Sequence, residues 1–129
     1  MVISGNLDAN IKLYLEVLSV CLKHGLEPLS SIEMENYLKK ILLEFEGDDE
    51  DIEALKPWLS ARLEKNFICL LYQPRWIQGS DWQFHEEKPM IFAGQIDLFG
   101  EVRHTYHDDT SIFVFIASNT DPVTLIQQF

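Results

Sequence analysis

The sequence contains little cysteine and no long apolar run. Its two cysteines, Cys21 and Cys69, stand in no C-x-x-C or Cys/His spacing, so a zinc site is not indicated and two buried free thiols are a simpler expectation than a disulfide. The longest apolar runs, such as residues 67–72, are far shorter than the roughly 20 residues of a membrane-spanning helix. The N-terminus also lacks the basic and apolar regions of a secretory signal. We therefore expect a cytoplasmic protein.

Basic side chains are scarce. The chain has 10 Lys and Arg against 21 Asp and Glu, a formal net charge of −11 and an isoelectric point near 4.6. Because phosphate backbones and anionic lipids repel such a protein, we expect it to bind neither nucleic acid nor a membrane surface. The same field would attract a basic protein partner and speed its association. The alternative is an acidity that serves only solubility.

Spacings that are typical of catalytic sites are missing as well. Ser111 and Ser118 have no G-x-S-x-G context, and Gly94 and Gly100 do not form a phosphate-binding loop. Neither cysteine has an obvious base beside it in the sequence, as an activated nucleophile would need. We therefore predict a protein that is not an enzyme, with no catalytic residues, no cofactor and no metal site.

A small metal- or ligand-binding, enzyme-like domain is the alternative. His104 and His107 lie three residues apart, with Asp108 and Asp109 beside them, and imidazole with carboxylate is a common metal-ligand set. On a strand, residues three apart point to opposite faces, so the two histidines share a metal only if a turn rotates His107. The site of this alternative would lie near Trp76, Trp82, Gln95, His104 and His107.

Residues 1–66 have the apolar spacing of helices. We expect a first helix that ends at Gly25, and a second that starts with a capping box of Ser30 and Glu33 and runs to Gly47. In each helix an apolar stripe predicts the core face. These stripes are Ile11, Leu15, Leu18 and Leu22 in the first helix, Met34, Tyr37, Leu38, Ile41, Leu42 and Phe45 in the second, and Ile52, Leu55, Leu59 and Leu63 in a third.

An acidic run precedes the third helix. Residues 44–53 contain seven acids and no basic residue. Acids in the first turn of a helix that starts near Asp49 gain about 0.3–1 kcal/mol each from the macrodipole, which explains two or three of the seven. Pro57 should kink this helix or restart it, with a break near Lys56, because proline lacks a backbone donor and clashes with the preceding turn. We predict a partner-binding surface formed by Asp48, Asp49, Glu50, Asp51, Glu53 and Trp58.

Residues 67–129 have short β-prone runs separated by turn residues, which predicts an antiparallel sheet. The expected strands are residues 67–72, 90–98, 102–106, 111–117 and 123–127, with a hairpin turn at residues 107–110. The predicted fold is therefore one α+β domain over residues 1–129. In it, N-terminal helices (1–66) pack on a four- to five-stranded, mainly antiparallel sheet (67–129).

Residues 74–98, PRWIQGSDWQFHEEKPMIFAGQIDL, contain two tryptophans in a turn-rich loop that leads into an apolar strand. They fit the pattern P-x-W-x-Q…W…K-P-x-x-F-x-x-Q-x-D, and with residues 106–115 and 127–128 they resemble the YwqG-like family of small bacterial cytoplasmic proteins. The resemblance covers the C-terminal half and implies a fold but no catalytic residue. We expect Trp76 and Trp82 to hold the loop on the sheet, because large aromatics in such loops usually belong to the core.

In size, charge and style of sheet, the chain is similar to the immunity proteins that bacteria carry beside toxin genes, including those of contact-dependent growth inhibition. That resemblance implies a non-enzymatic, protein-binding function with a cognate toxin as the basic partner. A nuclease toxin fits this reading, since its basic cleft binds phosphate and an acidic surface could occupy the cleft instead.

Overall fold

The computed structural model describes residues 7–45, 52–98 and 110–128, with side chains from residue 11 on in the first range. The chain divides into two compact units, Met1–Asn66 and Phe67–Phe129, and each has buried apolar residues of its own. The division falls where the sequence changes from helical to strand spacing. That the whole chain forms a single domain stays a prediction.

The described residues of the first unit form three helices: α1 (Leu7–Lys23), α2 (Ile32–Leu42) and α3 (Ile52–Asn66). The end of α1 at Gly25 is confirmed, because Gly25 has a φ of 69°, a conformation that glycine adopts without strain. The amides of Gly25 and Leu26 donate to the carbonyls of Leu22 and Cys21 at 3.0 and 2.9 Å. This pair of bonds is a Schellman motif, which satisfies the last carbonyls of the helix.

The start and end of α2 differ from the prediction. The N-cap is Ser31, whose hydroxyl accepts a hydrogen bond from the Met34 amide at 3.1 Å, so the predicted box of Ser30 and Glu33 is wrong by one residue. Ser30 belongs to the preceding turn, where its amide donates to the carbonyl of Glu27. The helix ends at Leu42 and not at Gly47, and its buried side is formed by Met34, Tyr37, Leu38 and Ile41.

The predicted break in α3 is wrong, because Pro57 lies inside a helix that runs from residue 52 to residue 66. A proline there forgoes the bond to the carbonyl of Glu53 four residues earlier. Glu53 is exposed in the first turn, where water can solvate that carbonyl. The predicted core stripe of α3 is confirmed, since its buried residues are Ile52, Leu55, Leu59 and Leu63.

The predicted core face of α1 is wrong. Ile11, Leu15 and Leu22 are 50%, 54% and 54% exposed, whereas the buried residues are Leu13, Val17, Val20 and Cys21. At 100° per residue the two sets lie on opposite sides of the helix. The buried side packs against α3, next to an ion pair of 3.4 Å between Glu16 and Lys56.

The described residues of the second unit form two antiparallel sheets. A two-residue hairpin pairs β1 (Phe84–His85) with β2 (Lys88–Pro89). A three-stranded sheet has the order β3 (Ile91–Leu98), β4 (Thr110–Ile116) and β5 (Val123–Gln128), with a bulge between Phe92 and Gly94. The α+β class with N-terminal helices is thus confirmed, but one sheet of four or five strands is not.

Two predicted strands account for this difference. Residues 67–72 do not form a strand and make one isolated parallel bridge, from Cys69 to Phe92, while Leu70 and Leu71 are 55% and 78% exposed. An apolar run does not by itself supply the two neighbours that a central strand needs. The predicted strand 102–106 and the turn 107–110 lie outside the described residues, except Thr110, which is the first residue of β4.

One face of the three-stranded sheet carries the core of the second unit. Phe92, Phe113 and Phe115 are fully buried there, and Phe92 pairs with Phe115 across β3 and β4. No helix among the described residues has both the length and the apolarity needed to cross a membrane.

Candidate functional site

The loop of residues 74–82, called here the tryptophan loop, covers the phenylalanine face of the sheet. Trp76 stacks on Phe113, with ring centroids 4.7 Å apart and planes at 20°, and Phe115 lies next to it at 6.4 Å. Trp76 remains half-buried. The indole therefore lies flat on the sheet and forms part of the wall of the core.

Trp82 lies deeper than Trp76. Its side chain is 5% exposed, and its Nε1 donates a hydrogen bond of 2.8 Å to the carbonyl of Met90. Phe67 and Phe115 meet the indole edge to face at 5.1 and 5.5 Å, a favourable geometry for aromatic pairs. The expected core position is thus confirmed for Trp82, whose one polar atom is satisfied by the backbone.

Gln127 of β5 holds the middle of the tryptophan loop. Its Oε1 accepts hydrogen bonds from the amides of Ile77 and Gln78 at 2.8 and 3.0 Å, and its Nε2 donates to the carbonyl of Gly79 at 2.9 Å. Gln127 is 4% exposed, so these bonds replace water that the loop backbone has lost. In return, Nε2 of Gln78 donates to the carbonyl of Gln128 at 2.8 Å.

Gln95 of β3 holds the start of the same loop. Its Oε1 accepts from the Arg75 amide at 2.8 Å, and its Nε2 donates to the Arg75 carbonyl at 3.1 Å. Its backbone amide and carbonyl also bond the hydroxyl of Tyr72, at 2.9 and 3.0 Å. The guanidinium of Arg75 lies 5.0 Å from the centre of the Tyr72 ring.

Asp97 is the charged group of this cluster. Its Oδ1 accepts from the Ser111 hydroxyl at 2.6 Å and from Nε2 of Gln95 at 2.8 Å, and its Oδ2 accepts from the Arg75 guanidinium at 2.9 Å. The bonds from Ser111 and Arg75 lower the pKa of the Asp97 carboxyl. An anion that already has three donors is a structural acceptor and a poor general base.

These contacts assign structural roles to the residues that would form a ligand site near the tryptophan loop. Trp76, Trp82 and Gln95 are brought together, but Trp76 stacks on Phe113. The polar atoms of Trp82 and Gln95 bond the backbone of Met90 and Arg75. His104 and His107 lie outside the described residues. Among the described ranges, no group of three His, Cys, Asp or Glu side chains is placed to hold a metal ion.

The predicted acidic surface is described only in part. Asp48, Asp49, Glu50 and Asp51 lie outside the described residues, and Glu53 is exposed in the first turn of α3. Trp58 is half-buried, with its indole 5.2 Å from the ring of Phe45. The predicted anchor is therefore packed on one side by Phe45.

Arg62 connects Trp58 with the beginning of the acidic run. Its guanidinium lies 5.0 Å from the centre of the Trp58 indole and binds the carboxylate of Glu44. Sequence reasoning missed Arg62, although Trp58 and Arg62 are four residues apart on one helix and such pairs are neighbours. It also did not predict the bonds of Gln127 to the tryptophan loop or of Ser111 to Asp97. The alternation of β4, which places Ser111 on the face of Phe113, could have indicated the role of Ser111.

Both cysteines are free thiols, as predicted, but only Cys21 is buried as expected. Cys21 is fully buried, and burial raises the pKa of its thiol to about 12. Cys69 is half-buried, and burial raises the pKa of its thiol as well. A thiol with a raised pKa holds little thiolate at neutral pH, so neither residue is an activated nucleophile.

No protein-family model, curated protein or solved structure matches this chain. The resemblance of residues 74–128 to the YwqG-like family therefore stays a prediction, as does the similarity to immunity proteins. The structure adds that Trp76, Gln78, Trp82, Phe92, Gln95 and Asp97, which carry that resemblance, all take part in core packing or in hydrogen bonds that hold the tryptophan loop.

Proposed function

We propose that this chain is a non-enzymatic protein-binding module of the cytoplasm: an immunity protein that neutralises a cognate bacterial toxin by stoichiometric association. The observation that carries the proposal is the charge. The net charge is −11, and seven acids fall within residues 44–53 with no basic residue among them. A toxin with a basic cleft, such as a nuclease, is the partner whose charge complements this surface.

The contacts of the tryptophan loop support a binding function over a catalytic one. Trp82 and Gln95, two residues of the alternative ligand site, bond the Met90 carbonyl and the Arg75 backbone. The neighbouring carboxylate of Asp97 already accepts from Ser111, Arg75 and Gln95. They hold a loop. A binding surface needs no such pocket, because affinity can come from a rim of charge around a few apolar anchors.

Trp58 is the apolar anchor of the proposed surface. It is half-buried, so part of the indole is available to a partner, and Phe45 and Arg62 restrict the ring on two sides. A side chain that is already held in place loses little entropy on binding. Arg62 also binds Glu44, which leaves the acids from Asp48 to Glu53 as the charged part of the proposed surface.

The first experiment concerns the neighbouring reading frame. If the proposal holds, the adjacent gene encodes a toxin, and the two purified proteins form a one-to-one complex that abolishes the toxin's activity. A neighbour without toxic activity, or a toxin whose activity is unchanged by an excess of this protein, would contradict the proposal.

The second experiment assigns the surface with two variants of equal charge. In one, the five acids Asp48, Asp49, Glu50, Asp51 and Glu53 are changed to Asn or Gln. In the matched control, five exposed acids elsewhere are changed: Glu27, Glu33, Glu64, Glu86 and Asp121.

We expect the first variant to bind the toxin at least about tenfold more slowly at low salt, and to lose most of the salt dependence of the association rate. The control should retain most of both, because its charges lie outside the contact. Equal effects in the two variants would assign the attraction to the net charge of the chain rather than to the acidic run.

A further inference from the structure

Four side chains of the first unit, called here the Trp58 cluster, connect the end of α2 with the middle of α3. Trp58 and Arg62 belong to α3, one helical turn apart, and Glu44 and Phe45 follow α2. The amides of Glu44 and Phe45 donate to carbonyls in the last turn of α2 at 2.9 and 3.3 Å. Hydrogen-bonded backbone therefore fixes the position from which each of the four side chains starts.

Arg62 lies at the centre of the Trp58 cluster. Its guanidinium is 5.0 Å from the centre of the Trp58 indole and also binds the carboxylate of Glu44. A guanidinium suits this position because its planar group can lie over an aromatic ring while its N–H groups donate to a carboxylate. Arg62 thus contacts both the apolar anchor of the proposed binding surface and the first acid of the run at residues 44–53.

The contacts of Arg62 should contribute little to the stability of the fold. The side chains of Arg62 and Glu44 are 28% and 50% exposed, and ion pairs at such positions are weak because water screens the charges. Phe45, the fourth member of the cluster, is buried and packs on Trp58 at 5.2 Å without help from Arg62. Replacing Arg62 should therefore leave the helices folded, so that its effect on binding can be measured.

The charge of Arg62 and its contacts act on the binding of a basic protein in opposite directions. The positive charge repels such a partner and slows its approach. The contacts with Trp58 and Glu44 hold both side chains before binding, so less conformational entropy is lost in the complex. The two effects can be separated, because long-range charge acts mainly on the association rate and short-range contacts act mainly on the dissociation rate.

We propose that Arg62 is a positioning residue of the toxin-binding surface. It holds Trp58 and Glu44 in the orientation in which they meet the toxin, and it need not touch the toxin itself. The proposal rests on the proposed function and adds a residue that a search for acids or exposed aromatics would pass over. It also predicts that a basic residue in an acidic surface strengthens the binding of a basic partner.

Two variants with opposite changes of charge test this role. Arg62→Gln makes the chain more acidic by one charge and Glu44→Gln makes it less acidic by one, yet each removes the same contact. We expect both to raise the dissociation rate of the toxin complex about three- to tenfold, since Trp58 must then be ordered on binding. The double variant should dissociate no faster than about the faster single one, because residues that act as a unit are not additive.

The control for charge is Lys65→Gln, which removes a positive charge from the exposed last turn of the same helix. Arg62→Gln and Lys65→Gln should both leave the association rate equal or higher at low salt. Lys65→Gln should leave the dissociation rate unchanged. Circular dichroism of each variant should show the helical signal of the wild type.

Fluorine NMR of protein labelled with fluorotryptophan tests the positioning without a toxin. The chain has three tryptophans, and Trp58→Phe assigns the signal of Trp58. Arg62→Gln and Glu44→Gln should shift or broaden that signal, whereas the signals of Trp76 and Trp82, which lie in the other unit, should stay in place.

The outcomes distinguish the positioning role from the proposed function. An unchanged Trp58 signal in both variants would overturn the positioning role whether or not a toxin is found. So would a complex whose dissociation rate rises in one variant and falls in the other, as charge alone predicts, or does not change in either. If the chain binds no toxin, the proposed function fails, and the role of Arg62 in binding fails with it.

Discussion

Gln95 and Gln127 each hold the tryptophan loop through both ends of a side-chain amide. Gln127 bonds two backbone amides and one carbonyl of the loop, and Gln95 bonds the amide and the carbonyl of Arg75. A side-chain amide carries two N–H donors and a carbonyl acceptor on one planar group, so it can donate to a backbone carbonyl and accept from backbone amides at the same time. A leucine at either position could form none of these hydrogen bonds with the loop backbone, and an ionised glutamate could accept from the backbone amides but not donate to the carbonyls.

We expect Gln127→Leu to lower the free energy of unfolding by about 2–4 kcal/mol, because it leaves buried backbone groups without partners. Urea unfolding at pH 7 measures this loss. The matched control is Ser80→Ala in the same loop: the Ser80 hydroxyl is buried and has no hydrogen-bond partner among the described residues, so its removal should cost nothing. A loss in Gln127→Leu no larger than in Ser80→Ala would contradict the assigned role.

Asp97 predicts a dependence of stability on pH. Bonds from Ser111 and Arg75 lower the pKa of the folded Asp97 carboxyl below its ordinary value of 3.8. A group whose pKa is depressed by folding stabilises the protein above its unfolded pKa, and the contribution disappears as the pH falls through the folded pKa. We therefore expect wild type to be more stable than Asp97→Asn at pH 7 and the difference to shrink below pH 4.

The measurement is urea unfolding of both proteins from pH 7 down to the lowest pH at which they fold. A difference between wild type and Asp97→Asn that stays constant over this range would show that the charge of Asp97 contributes nothing. Asp121→Asn is a suitable reference, since Asp121 is an exposed aspartate of the same unit.

At the scale of elements, the β1–β2 hairpin carries conformational strain. Its two turn residues, Glu86 and Glu87, have φ values of 49° and 68°, the left-handed region that both central residues of a type I′ turn adopt. Asn-Gly favours this turn, whereas a glutamate in the left-handed region costs roughly 1 kcal/mol or more of conformational free energy. The turn keeps its geometry because Phe84 pairs with Pro89 and His85 with Lys88.

The double variant Glu86→Asn, Glu87→Gly should therefore raise the free energy of unfolding by about 1–2 kcal/mol. Thermal and urea unfolding measure the gain. The control Glu86→Gln, Glu87→Gln removes the same two charges without changing the preference of the backbone, so it separates relief of strain from relief of repulsion. An equal gain in both variants would assign the effect to charge.

The helices show why some elements could be predicted from the sequence and others could not. α3 has a single apolar stripe, so Ile52, Leu55, Leu59 and Leu63 identify its core face without ambiguity, and the prediction is confirmed. α1 has two stripes of similar strength, and spacing alone cannot tell which one meets α3. The prediction took the stripe that the structure shows to be exposed.

The strands and the tryptophan loop show a second limit of prediction from the sequence. The runs that became β3, β4 and β5 were found because each is apolar and bounded by turn residues. Residues 67–72 have the same composition but pair at one point only, between Cys69 and Phe92. Contacts such as that of Gln127 with Ile77 span 50 positions, and no local spacing in the sequence indicates them.

At the scale of the whole molecule, the net charge of −11 should act on stability as well as on binding. Like charges lie closer together in the folded chain than in the unfolded one, so their repulsion destabilises the folded state. Salt screens this repulsion: the Debye length falls from about 30 Å at 10 mM to about 10 Å at 100 mM. We therefore expect the melting temperature to rise between these two NaCl concentrations.

The rise should be measured at low protein concentration, so that salt acts on folding and not on any association. The variant with Glu27, Glu33, Glu64, Glu86 and Asp121 neutralised has a formal charge of about −6 in place of −11, and its melting temperature should rise less with salt. A rise of equal size in the neutralised variant would show that the charges do not limit folding. The acidity would then have no cost in stability, and solubility alone would suffice to explain it.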